Sequence, residues 1–150
     1  MEEGVDPWVV LDGRRWRRTD PSIPDALRGE LVKALMAARR VTDRPRTHDA
    51  KIALGERGPR WWEAPTEAGD RVRLTAAIRV LLHHRGPEKT ICPSDAARVA
   101  GGGRWRALVP LARQVAAELA RDGEILVTQR GEALEPDPVT WKGPVRLRLR

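Results

Sequence analysis

Phenylalanine and tyrosine are absent from this sequence; serine occurs twice (Ser22, Ser94), cysteine once (Cys92) and histidine three times (His48, His83, His84). Without Phe or Tyr, the aromatic sheet platform of an RNA-recognition domain cannot be built. A single cysteine excludes an internal disulfide framework. One Cys and three His fall short of the usual four-ligand structural zinc site, and the adjacent His83 and His84 would point about 100° apart on a helix. Nucleophile and base are both scarce, so no catalytic role and no metal are expected. No apolar run approaches the ~20 residues of a membrane span. The chain opens on Glu2 and Glu3 rather than a basic segment followed by an apolar one, so no signal peptide is expected and a soluble cytoplasmic protein is the default.

What is present is arginine. Of 28 cations in 150 residues, 24 are Arg and only Lys33, Lys51, Lys89 and Lys142 are Lys, against 21 Asp+Glu. Arg makes planar, bidentate contacts with phosphate and guanine. A GC-rich genome also encodes Arg and Ala heavily, so the positions of the arginines matter more than their number. Residues 1–66 carry 13 Lys+Arg and 11 Asp+Glu, while residues 67–150 carry 15 and 10. Most of the basic excess therefore lies in the second half. The Gly- and Pro-bracketed stretch from Gly58 to Gly69 reads as the boundary, dividing a module over 1–66 from a domain over 67–150. Its Trp61-Trp62 pair is large apolar area that should dock on one of them.

In the first part, Trp8 to Leu11 and Arg14 to Arg17 read as a hairpin around Asp12-Gly13. Ser22 reads as the N-cap of a helix from about Ile23 to Arg40, with Leu27, Leu31, Leu35 and Ala38 on one face. A second helix is expected to start at Thr47-His48-Asp49 and to end near Gly55 or Gly58. The cluster Arg14, Arg15, Arg17 and Arg18 is most simply a solvated hairpin with acidic neighbours.

In the second part, Arg71 to Arg85 reads as an amphipathic helix stopped by Gly86-Pro87. Ser94 caps a short helix to Ala100, which ends at Gly101-Gly102-Gly103. Trp105 to Asp122 follows as a longer helix, with Pro110 in its first turn after an entry turn. Leu108, Leu111, Val115 and Leu119 line its apolar side, and Arg113, Gln114, Ala117 and Arg121 its opposite side. Glu124 to Gln129 and Glu132 to Leu134 form a hairpin around Arg130-Gly131, and Val145 to Arg150 is a strand with one arginine face. The expected class is α+β, mainly α. Helix, short helix, long helix, hairpin and strand is the order of a winged helix-turn-helix, whose third helix enters the DNA major groove.

Three sharper motifs fail. Gly86-Pro87-Glu88-Lys89-Thr90 has a carboxylate where a phosphate loop needs glycine, and Gly101 to Arg104 lacks dinucleotide-loop spacing, so no cofactor is expected. Cys92 sits between Ile91 and Pro93 and reads as a small buried hydrophobe. Trp105 reads as core filling beside an exposed Arg106.

An ordered run of residues carries a family resemblance: Thr90-Ile91-Cys92-Pro93-Ser94, Ala97-Arg98, Trp105-Arg106, Pro110, Gly123-Glu124-Ile125, Thr128-Gln129 and Gly143-Pro144-Val145-Arg146-Leu147. From about Arg71 to Leu149 the chain resembles an uncharacterised bacterial family, domain of unknown function 3253. The resemblance implies a small winged-helix-like domain and no particular activity. Trp16-Arg17, Thr19 to Pro24 and Lys51 to Gly58 look like a module that accompanies this domain in actinobacterial-type proteins. Candidate contacts to double-stranded DNA are Arg104, Arg106, Arg113, Gln114, Arg121, Arg130, Lys142, Arg146 and Arg148, with Arg113 and Gln114 apt for base edges and the later cations for phosphates. The competing expectation is a protein-interaction adaptor that uses the same domain, the first module and the Trp pair.

Overall fold

Pairing of Trp8 with Arg17 and of Leu11 with Arg14 makes the first element an antiparallel ribbon, β1 (Trp8–Leu11) and β2 (Arg14–Arg17), closed by Asp12 and Gly13 at positive φ. The computed structural model describes residues 6–150. The Trp pair docks onto this ribbon. Trp61 donates its indole N–H to the Arg18 carbonyl at 3.1 Å, and Trp62 stands edge-on to Trp8 at 5.6 Å. The ribbon arginines are engaged locally: Arg15 lies over the Trp8 ring at 4.1 Å, and Arg17 donates to the Gly58 carbonyl at 2.8 Å.

Helices α1 (Asp25–Arg40), α2 (Arg44–Ala53) and α3 (Glu67–Arg85) follow. The expected face of α1, Leu27, Leu31, Leu35 and Ala38, is buried as its spacing requires. Its start differs from expectation. Ser22 donates its hydroxyl and its backbone N–H to Asp20 Oδ1 at 2.7 and 2.9 Å, so it belongs to an Asp-centred turn before the helix. Helix α2 begins at Arg44, three residues before Thr47, because Asp43 accepts from the Arg46 N–H and Pro45 fits the first turn. Helix α3 begins at Glu67, where Thr66 accepts from the Gly69 N–H at 3.0 Å.

Helix α4 (Pro93–Gly101) leads through one 3-10 turn, Gly102–Arg104, into α5 (Trp105–Arg121). Ser94 lies inside α4 and does not cap it. The residue before the helix is Cys92, whose N–H donates to Asp95 Oδ2 at 2.9 Å. Helix α5 starts at Trp105 without a separate entry turn, so Pro110 lies within it, and only one helical hydrogen bond, to the exposed Arg106 carbonyl, is forgone. Ala117 is fully buried and so belongs to the core side of α5 rather than the outward one.

After the tight turn at Gly123, β3 (Ile125–Gln129) pairs with both β4 (Glu132–Ala133) and β5 (Arg146–Leu149), giving the order β4-β3-β5, all antiparallel. Ile91, just before α4, adds a bridge to Leu147 on the free side of β5, with N–H to carbonyl distances of 2.9 and 2.8 Å. The protein is α+β and mainly helical. Leu147, Val127 and Ile125 face the helices, while Arg146 and Arg148 lie on the outer face, opposite Thr128 and Leu126.

One contiguous apolar cluster runs from α1 and α2 through α3 to α4, α5 and the sheet. Helix α3 is its axis, since Leu74, Ala77, Ile78, Leu81 and Leu82 are all completely buried. Alanines at 96, 97, 112 and 116 let α4 and α5 approach closely. A buried ion pair ties the segment before α1 to α3: Arg73 donates to Asp20 at 2.7 Å and to the Ala53 carbonyl at 3.1 and 3.2 Å.

Candidate nucleic-acid interface

The turn from α4 to α5 folds two arginines onto one indole. Arg98 of α4 lies 4.2 Å and Arg106 of α5 lies 4.6 Å from the Trp105 ring centroid. Trp105 is half-buried; it packs on the core and offers its faces to two guanidinium groups, so core filling and surface display coexist in one residue. Neither arginine has an ion-pair partner among the described residues. Arg98 was absent from the sequence-level candidates. Its signal is a position just before the Gly101-Gly102-Gly103 reversal, which brings it back beside the Trp that follows.

Two helical turns beyond Arg106, on the same side of α5, stands Arg113. It donates to the Gly143 carbonyl at 3.1 Å and the Trp141 carbonyl at 3.2 Å, and lies 5.3 Å from the Trp141 ring centroid. Arg113 therefore clamps the loop between β4 and β5 to α5 instead of presenting a free fork. The loop is braced from its other side by Gln129, whose amide donates to the carbonyls of Lys142 and Pro144 at 2.6 and 2.9 Å. Trp141 is buried beneath it and donates to the Glu135 carbonyl at 2.7 Å.

Strand β3 runs back along α5 from Gly123. Its far end, Gln129, meets the loop that Arg113 holds. There Arg130, at φ 54° in the tight β3–β4 turn, is exposed beside the braced loop that carries the exposed Lys142. Arg98 and Arg106 thus share the entry of α5, and Arg113, two turns on, ties α5 to the loop that carries Lys142, next to the turn that carries Arg130.

The other candidates lie elsewhere or are occupied. Arg104 is bound by both oxygens of Asp70, at 2.7 and 3.1 Å. Gln114 accepts from Arg71 at 3.1 Å, and the same guanidinium pairs with Glu118 at 2.8 Å, so these two exposed side chains of α5 are engaged by α3. Arg146 donates to the Thr90 hydroxyl at 2.9 Å and carbonyl at 3.3 Å. Arg148 is exposed on the outer face of the sheet, and Arg121 is exposed at the far end of α5. Of the nine candidates, Arg106, Arg121, Arg130, Lys142 and Arg148 are exposed and, among the described residues, their side chains have no hydrogen-bond or ion-pair partner.

A family model described as Protein of unknown function (DUF3253) matches residues 71–150, from the second turn of α3 to the last residue. The chain belongs to this family. The match contains every element of the α5 flank: α4, the glycine turn, Trp105, and the loop clamped by Arg113. Helices α1 and α2 precede it. No curated protein matches the chain. Among the described residues no helix is long and apolar enough to cross a membrane, and no cluster of three or more His, Cys, Asp or Glu is placed to hold a metal ion.

Proposed function

We propose that residues 71–150 act as a winged helix-turn-helix and that this chain binds double-stranded DNA along the flank of α5. The observation that carries the reading is the pair of guanidinium groups on Trp105, at the entry of α5 and free of carboxylates among the described residues. A helix entry next to a helix–turn is where such a domain meets its groove, and the loop between β4 and β5 takes the place of the wing. Helix α3, the Ile91 bridge, α4, α5, β3 and β5 follow one another in the order that fold requires. In this reading Arg98, Arg106, Arg130 and Lys142 hold backbone phosphates, and Arg113 and Gln114 position the surface rather than read bases.

Fluorescence anisotropy of a labelled 20-base-pair duplex, titrated at several salt concentrations, tests the proposal. The logarithm of the affinity should fall with the logarithm of salt by about 0.9 for each phosphate neutralised. The double variant R98E/R106E should lose affinity and flatten that slope by about two contacts, while R148E on the outer sheet face changes little. An absence of binding at low salt, or equal losses in the two variants, overturns the reading.

A second reading is favoured by the ribbon. Leu11 and Trp16 share one face of it and are exposed at 58 and 42%, with Val9 between them, an apolar patch of the kind that marks protein contacts. Recovery of a stoichiometric partner by the wild type in the presence of nuclease, but not by W16A, together with no DNA binding at low salt, would favour an adaptor.

A further inference from the structure

A cavity of about 340 Å³ opens between α1, α2 and α3. Its apolar wall is made by Ala34, Ala37, Ala38, Val41 and Val80, and its polar wall by Asp43, Arg46, Asp49, Arg79 and His83, with the exposed His84 at its edge. The volume lies at the lower end of the range for small-molecule sites, and the combination of an apolar wall with a few polar groups is their usual make-up.

Charge accounting on the polar wall leaves one group over. Arg79, from α3, is held by both oxygens of Glu124 at 2.9 and 2.8 Å. Arg46 lies 3.5 Å from the Asp43 carboxylate and donates to His83 Nδ1 at 3.1 Å. That contact makes Nδ1 an acceptor and places the ring proton on Nε2, so His83 is a neutral imidazole. Burial and the neighbouring Arg46 push its pKa down, in the same direction. Asp49, half-buried, has neither a hydrogen-bond partner nor an ion-pair partner among the described residues. Its pKa is pushed up by burial, against the pull of Arg79, His48 and His83. Of the three other charges on the wall, Arg46 and Asp43 offset each other and Arg79 is offset by Glu124 just outside the lining; the α1 side contributes no charge.

From this geometry we infer that the cavity is a binding site for a small organic amine, whose ammonium group pairs with Asp49 and whose apolar body lies on the alanines of α1 and on Val80. A carboxylate half removed from water without a partner is an incomplete interaction, and a charge-assisted N–H donor completes it. The site joins the segment preceding the family match to the first helix within it, and so gives α1 and α2 a role of their own. It is independent of the DNA reading.

Hexylamine and hexanoate, equal in length and opposite in head-group charge, are the probes. Each is titrated into the full-length, isotope-labelled protein at millimolar concentration, with amide shifts followed by NMR. Hexylamine should shift the amides around Asp49, Val80 and His83 and saturate, whereas hexanoate should leave them in place. D49N, a nearly isosteric change, should lower hexylamine affinity at least tenfold while the remaining spectrum stays folded. A37L, which narrows the apolar wall without altering charge, should lower it as well. Equal responses to the two probes, unchanged affinity in D49N, or no saturable shift at these amides would overturn the assignment.

Discussion

Arg73 is 5% exposed, yet each of its three side-chain nitrogens is engaged: Nη1 by the Asp20 carboxylate, Nε and Nη2 by the Ala53 carbonyl. Asp20 is completed by the Ser22 hydroxyl and N–H. A buried ion pair gains little over a well-packed apolar replacement, but removal of one partner strands the other charge. D20N is therefore expected to lower the unfolding free energy by about 3–5 kcal/mol, and D20N/R73M to cost clearly less than the sum of the two single changes, as read from urea midpoints. Strict additivity would mean that the pair acts as two separate surface charges. The same residue scale is where the sequence was least legible. Arg104, Arg113 and Arg146 were identified as cations on an outward surface, but their acceptors (Asp70, the carbonyls of Trp141 and Gly143, and Thr90) lie 28 to 56 positions away. Residue type shows that an arginine has forks to fill; only the folded chain brings the acceptor. Arg98 was missed for the converse reason, since its neighbour across the glycine turn became visible only once the turn was closed.

The glycine turn between α4 and α5 is the element on which the α5 flank depends. Gly102 has φ 55° and ψ −124°, a region that side chains do not enter without strain, and a Cβ there would sit 2.5 Å from Ser22 Oγ. A Cβ on Gly101 would meet Leu108 Cδ1 at 2.7 Å. G102A is expected to cost about 1–3 kcal/mol of stability and to disturb the Arg98–Trp105–Arg106 stack, seen as a change in Trp fluorescence. Adding S22G should recover the steric part and leave the backbone part; full recovery would show that crowding by Ser22 alone sets the cost. Elements of this size were well expressed in the sequence. Both hairpins, the apolar face of α1, and the order of helices and strands over 67–150 follow from hydrophobic period and from turn residues. The element starts were harder, because several polar residues compete for each cap. Asp43 prevails over Thr47, Thr66 starts α3 before its apolar stripe begins, and Asp20 takes Ser22 away from the helix it precedes. Pro110 reads as marking the first turn, but α5 already starts at Trp105 and runs through it.

Across the whole molecule, acid titration reports how the parts are joined, because three carboxylates act with opposite signs. Glu30 of α1 is gripped by Arg85 of α3 at 2.8 and 2.9 Å, and that hydrogen bond holds its pKa below the usual range. Glu124 is held down in the same way by Arg79. A carboxyl whose pKa is lower when folded stabilises the fold above its unfolded pKa of about 4.3, and this stability is lost as pH falls through the folded value. Asp49 has the reverse sign: its folded pKa is raised, so its contribution is most favourable in acid and declines as pH rises through its unfolded value near 3.9. The contiguous core makes these local terms global, since α1 cannot leave α3 without exposing Leu31, Leu35 and Ala77. E30Q is therefore expected to lower stability at pH 7 by about 1–2 kcal/mol, with the gap to wild type closing as pH falls below 4. D49N should raise stability at pH 7 and lose that advantage in acid. Thermal unfolding of both variants between pH 3 and pH 7 separates the two cases. Parallel shifts at every pH would mean that neither carboxylate titrates differently on folding, and a D49N variant less stable than wild type at pH 7 would show that Asp49 already has a partner within the chain.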